Sequence, residues 1–218
     1  MRLLFINPNT TASMTRSIGA QARAVAAGTT EIVTVNPPRG PAAIETHDDE
    51  AAATEAMLGM LQAVDADAFD GIAIACFGDP GLAELRAAVG VPVVGIAESA
   101  MLLACAMGPR FAIVAALDSA VPMMEELAAG YGLAARCAGV RATGLSVLQV
   151  AADPEASRPV IEATCRAAIT VDGADSVCLG CAAMSPLAAS LTRTLGRPVL
   201  DGVQAAVKVL EAITAVRR

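Results

Sequence analysis

Asp70-Gly-Ile-Ala-Ile-Ala-Cys76 and Asp175-Ser-Val-Cys-Leu-Gly-Cys181 follow one pattern, an apolar run that leads into a cysteine. The likeness continues downstream. Cys76 leads into a Gly/Pro turn, a helix-like stretch and Gly90-Val-Pro92-Val-Val-Gly95, while Cys181 leads into Ser185-Pro186, a helix-like stretch and Gly196-Arg-Pro198-Val-Leu-Asp201. The spacings Cys76 to Pro92 and Cys181 to Pro198 agree to within one residue. Arg110-Phe-Ala-Ile-Val-Ala-Ala116 can be laid against Arg2-Leu-Leu-Phe-Ile-Asn-Pro8, so the second half begins again near residue 97. Two similar halves, each ending a buried strand in a cysteine, can bring two thiols to one cleft from opposite sides.

Outward from these copies, short apolar runs alternate with Ala-rich helical stretches. Strands are expected at Arg2–Ile6, Glu31–Val35, Gly71–Ala75, Val91–Gly95, Phe111–Ala115, Gly139–Thr143, Ser176–Gly180 and Pro198–Leu200. Helices are expected at Thr11–Ala27, Asp48–Ala63, Ser99–Met107, Val121–Tyr131, Pro154–Val171, Pro186–Leu195 and Gly202–Val216. Continuous apolar strands separated by helices imply parallel sheets covered on both faces. The expected class is α/β: two similar doubly wound parallel-sheet domains related by a pseudo-twofold, with the cleft between them. The first domain covers residues 1–96 and the second 97–201, and a last helix at 202–218 packs back on the first. Ligands of such sheets bind at the carboxyl ends of the strands, where both Cys76 and Cys181 stand.

Bulk properties exclude several function classes. The 218 residues are 55% hydrophobic and 17% charged, enough for a sizeable core. A net charge of −7 without a Lys/Arg cluster lacks the electrostatic footprint for nucleic acid or an anionic membrane. The apolar run after Met1-Arg2 is too short for a signal or a membrane span. Six cysteines in apolar surroundings fit a reduced, cytoplasmic protein. Mean hydropathy of +0.57 predicts apolar surface hidden between subunits, hence a homo-oligomer.

Cofactor chemistry finds little support. Lys208 lies on a helical pattern away from any strand end, a poor place for a Schiff-base lysine. No Gly-x-Gly-x-x-Gly or Gly-x-x-x-x-Gly-Lys-Ser/Thr pattern offers a nucleotide site. The single His47, in Glu45-Thr-His-Asp-Asp-Glu50, reads as the solvated start of a helix or a contact at the cleft lip. Cys178-Leu-Gly-Cys181 has CxxC spacing without a second ligand pair, so no metal site is expected and Cys178 reads as a buried apolar residue. Cys105, Cys137 and Cys165 read as core.

Three motifs in order then carry a resemblance: Asn7-Pro-Asn-Thr-Thr-Ala-Ser-Met-Thr15; Ala75-Cys-Phe-Gly-Asp-Pro-Gly-Leu82 with Pro92-Val-Val-Gly-Ile-Ala-Glu98; and Leu179-Gly-Cys-Ala-Ala-Met184. Across nearly its whole length the chain resembles the hydantoin racemases of the aspartate/glutamate racemase superfamily, a group that includes allantoin racemases. The resemblance implies cofactor-independent inversion at C5 of a 5-substituted hydantoin, with Cys76 and Cys181 as the catalytic pair. Two departures stand out. Amino-acid racemases of the superfamily follow each cysteine with Asn-Thr, which helps hold the substrate carboxylate; here the residues are Phe77-Gly78 and Ala182-Ala183, which suit a neutral ring. Ala115-Ala116-Leu117 replaces a segment that contains threonine in related proteins.

Around the cysteines, Asn7 is either a ring-amide contact or a turn residue, and Ile44 and Phe77 are either apolar walls or core. Asp79 either orients the Gly78–Gly81 turn or caps the helix after it, and capping explains Glu98 and Ser99 as well as a place at the cleft edge does. Helix N-termini after each cysteine are expected to lower the thiol pKa and to stabilise an enolate. A lyase or decarboxylase of the same superfamily needs only one essential thiol. A small-molecule binding module would bind without exchanging a proton.

Overall fold

The computed structural model describes residues 1–217. The first half runs β1 (Arg2–Ile6), α1 (Ala12–Val25), β2 (Glu31–Val35), α2 (His47–Leu61), β3 (Gly71–Ile74), α3 (Leu82–Ala88) and β4 (Val93–Gly95). After α4 (Ile96–Met107) the alternation restarts with β5 (Phe111–Ala115), α5 (Ala120–Gly130), β6 (Cys137–Ala142), α6 (Val147–Ala152) and α7 (Pro154–Thr170). It closes with β7 (Ser176–Leu179), α8 (Ala188–Leu195), β8 (Val199–Asp201) and α9 (Gly202–Arg217). Each half forms one parallel four-stranded sheet, and the order repeats: β2-β1-β3-β4, then β6-β5-β7-β8.

The acidic residue that opens each copy of the repeat does the same work twice. Asp70 accepts the Arg2 N–H at 2.7 Å, and Asp175 accepts the Arg110 N–H at 2.9 Å, tying the start of each central strand to its neighbour. The strands between are buried on both faces, as continuous apolar runs require. One core runs from Leu3 and Phe5 of β1 through α4 and α9 to Phe111 and Ile113 of β5, so the two sheets share a common interior. The helix α9 packs against α4 and α1.

The residues after β3 and β4 are organised by a buried carboxylate. Asp79 adopts a left-handed backbone (φ 47°), a conformation that Asp tolerates better than most residues. Its side chain accepts from Ala97 N–H (3.0 Å) and Glu98 N–H (2.9 Å) in the first turn of α4 and from the Tyr131 hydroxyl at 2.6 Å. Gly95 leaves the room for this: a Cβ there would fall 2.0 Å from the carboxylate. The second half delivers the same group from the strand instead. Asp201 accepts from Val203 and Gln204 N–H at the start of α9, and from the Ser185 hydroxyl.

Several local expectations change. Asp79 caps α4 rather than the helix that follows it, because the left-handed turn directs its side chain inward. That following helix, α3, begins only at Leu82, so no helix N-terminus directly follows Cys76. After Cys181 a 3-10 turn at Ala182–Leu187 precedes α8. The additional α6 carries a capping box in which Ser146 and Gln149 satisfy each other's backbone N–H, a Ser-x-x-Gln signal visible in the sequence.

Candidate active site

The two cysteines reach equivalent places by equivalent hydrogen bonding. Ile74 of β3 pairs with Ile6, the Ala75 N–H extends the ladder to Ile6 O at 2.7 Å, and the chain then releases Cys76. Leu179 of β7 pairs with Val114, the Gly180 N–H bonds Val114 O at 2.8 Å, and Cys181 follows. Both cysteines line one cavity between the halves. Ile44, Phe77 and Gly78 face it from the first half, and Ala182 from the second.

The thiols sit in unequal surroundings. The Gly78 N–H points at the Cys76 sulfur, whereas Cys181 has both Ala183 and Met184 N–H groups. Burial dominates in each case: it pushes Cys181 up to about 11 and raises Cys76 as well, with the neighbouring Cys181 adding to the rise at Cys76. The expected lowering of the thiols by helix N-termini is therefore overturned. The backbone donors act in that direction, but desolvation outweighs them.

Other residues of the wall escaped sequence reading. Asn9, Met14, Glu45 and Glu50 line the cavity from the first half, and Leu117, Met123 and Met124 from the second. Asn9 lay inside a quoted motif, and the acidic Glu45–Glu50 stretch reads locally as a helix start. It is one, since Thr46 and Asp49 form a capping box, yet the two glutamates flanking that box face the cavity. Glu45 also ties the halves together, its Oε1 accepting the Val147 N–H at 2.7 Å and its carbonyl the Ser119 hydroxyl at 3.1 Å.

The family model described as Asp/Glu/Hydantoin racemase matches residues 3–210. The chain belongs to the Asp/Glu/hydantoin racemase family. A hydantoin racemase of Pseudomonas sp. (strain NS671) is 40% identical over 98% of this racemase and 86% of its own length. Among solved structures, an allantoin racemase from Klebsiella pneumoniae superposes with a TM-score of 0.96 at 42% identity, covering 100% of this chain and 89% of that one. An allantoin racemase from Pseudomonas fluorescens gives 0.95 at 39%, covering 100% and 92%. The chain is thus an isomerase by family.

Two of the sequence-selected residues stand behind the racemase's cavity wall. Asn7 is 1% exposed, and its Nδ2 donates to Asn9 Oδ1 (2.9 Å) and Thr15 Oγ1 (3.0 Å), so it holds the loop from which Asn9 faces the cavity. Ala183 directs its N–H at the Cys181 sulfur, while its side chain lines a neighbouring crevice beside Ser13 and Ser17. Glu98 pairs with Arg86 at 2.6 Å, and the buried Ser99 hydroxyl donates to Gly95 O. Cys178 is fully buried in β7, and all six cysteines are free. Lys208 is half-exposed and paired with Glu211. No helix among the described residues is long and apolar enough to cross a membrane.

Proposed function

We propose that this racemase inverts C5 of a 5-substituted hydantoin without a cofactor, Cys76 and Cys181 serving opposite faces of the ring. The observation that carries this reading is the paired placement of the two thiols: one from each half, each just beyond an equivalent strand end, both on one cavity. A thiolate on one side takes the C5 proton, and the electron pair passes into the adjacent carbonyl as an enolate. The opposing neutral thiol then delivers a proton to the other face, and the two sulfurs have exchanged protonation states. The N–H groups of Gly78, Ala183 and Met184 offer fixed dipoles for whichever sulfur is anionic.

A neutral substrate agrees with the composition of the wall. Phe77-Gly78 and Ala182-Ala183 supply no hydroxyl or amide side chain for a free carboxylate, and Glu45 and Glu50 would face it with like charge. Aspartate and glutamate should therefore be turned over at least about a hundredfold less efficiently in kcat/KM than a hydantoin. A second reading, racemisation of the ureido-substituted allantoin, is supported by the similarity to the two allantoin racemases.

The deciding measurement follows the C5 proton by NMR in deuterated buffer, with optical rotation alongside, for alkyl hydantoins, aryl hydantoins and allantoin. Deuterium incorporation together with loss of rotation, without added cofactor, is expected. Binding without exchange for every one of these compounds would remove the proposal.

A further inference from the structure

Glu50 combines features that the two-thiol chemistry does not use. It belongs to the first turn of α2, yet its carboxylate lines the cavity with Cys76, and its side chain is only 22% exposed. Oε2 faces His47 Nδ1 at 3.5 Å, and His47 Nε2 is shared with Glu126 at 3.7 Å. Oε1 has no hydrogen-bond partner among the described residues. A Cβ on Gly78 would fall 2.1 Å from that oxygen, so the glycine provides the space in which the carboxylate lies against the turn whose N–H points at the Cys76 sulfur. Much of the surrounding wall is apolar: Met14, Ile44, Phe77, Leu117 and Met124. An acceptor with spare capacity, beside the reacting thiol and amid apolar side chains, is matched by a ligand that brings N–H donors.

We propose that Glu50 is the substrate-selecting residue of this site: its free carboxylate oxygen takes a ring or ureido N–H of the substrate and turns away compounds that present a carboxylate at the same place. The proposal rests on the hydantoin reading above and adds to it the group that recognises the amide edge. Hydantoins and ureido compounds share this chemistry, because both carry N–H donors on a urea unit. Ring-opened hydantoins keep the urea but carry a carboxylate where the ring had a neutral carbonyl. Glu50 should discriminate between the two forms.

The test is Glu50→Gln, which preserves shape while replacing the anionic acceptor with an amide that also donates. The wild-type protein and the variant are compared on 5-isobutylhydantoin, by kcat and KM for C5 exchange, and on N-carbamoyl-leucine, its ring-opened form, by inhibition constant. The variant is expected to lose about 10- to 100-fold in kcat/KM for the hydantoin, the usual range for a charge-assisted hydrogen bond. Inhibition by the carbamoyl acid should tighten by about tenfold or more. These shifts run in opposite directions, which a general disturbance of the fold would not produce. Equal changes for both compounds, or none for either, would overturn the role of Glu50. Failure of the hydantoin reading shows separately, as absence of exchange in the wild-type protein. A second variant, Gly78→Ala, should reproduce the lost discrimination by displacing the carboxylate; retention of full selectivity there would count against the geometry.

Discussion

Cys76 and Cys181 occupy the same place in the two halves without sharing an environment. Cys181 meets two backbone donors and Cys76 one, and burial raises both thiols, Cys181 to about 11. Proton abstraction needs a thiolate, and a thiol pKa raised well above 7 keeps that form scarce at neutral pH. The sign is therefore definite: kcat/KM for C5 exchange should climb between pH 6 and 9 by up to about tenfold per unit, following the thiolate fraction. A flat profile over that interval would show that substrate binding, rather than free-enzyme ionisation, sets the active form. Replacing either cysteine with serine should lower racemisation by at least about a thousandfold. One of the two variants is expected to keep C5 exchange of a single enantiomer, since its remaining thiol still abstracts from its own face. Full racemisation in either variant would end the two-thiol mechanism.

Among the elements, the Asp79 capping of α4 joins parts distant in sequence: the turn after β3, the first turn of α4 and, through Tyr131, the end of α5. Burial pushes the Asp79 carboxyl up to about 7, and its donors only partly oppose this. A carboxyl whose pKa rises on folding binds its proton more tightly in the native state. Its stabilising contribution is complete below the ordinary carboxylate range and is lost as pH rises towards 7. Wild-type stability should accordingly fall relative to Asp79→Asn between pH 4.5 and 7.5, by at least about 1 kcal/mol, in denaturant titrations at the two pH values. Tyr131→Phe removes the 2.6 Å hydrogen bond from the second half and should cost about 1–2 kcal/mol at a single pH. An unchanged midpoint would mean that water replaces the hydroxyl without loss.

For the whole molecule, two sheets of the same order meet through a shared interior of α4 and α9 rather than through a loose linker. On the outside, Met107 is 56% exposed at the end of α4, and the groove that it lines runs past Leu103, Leu200 and Ala205. With a mean hydropathy of +0.57, we expect the racemase to hide this face in a homo-oligomer. Light scattering at micromolar protein should give a multiple of the 21.9 kDa chain mass. Introducing charge through Met107→Glu should shift the assembly towards monomer. A monomeric mass for the wild-type protein contradicts the expectation.

The amino-acid sequence by itself determined the α/β alternation, the repeat and the position of both cysteines beyond strand ends, because these are local matters. A run of apolar residues and the Gly/Pro punctuation after it recur at spacings that agree to within one residue, and each acts on its own neighbours. The role of the repeated Asp70 and Asp175 comes from the fold, since their partners Arg2 and Arg110 are distant in sequence. What only the tertiary structure decided was which side chains converge. Asn9, Glu50 and Met124 line the cavity of the thiols from separate elements, while Asn7, adjacent to Pro8 in the same motif, turns behind the wall. Asp79 caps a helix 17 residues away because its left-handed backbone and Gly95 open that path. The acidity of the thiols likewise depends on how much water the assembled halves exclude. Desolvation belongs to the packed environment and has no signature in a window of sequence.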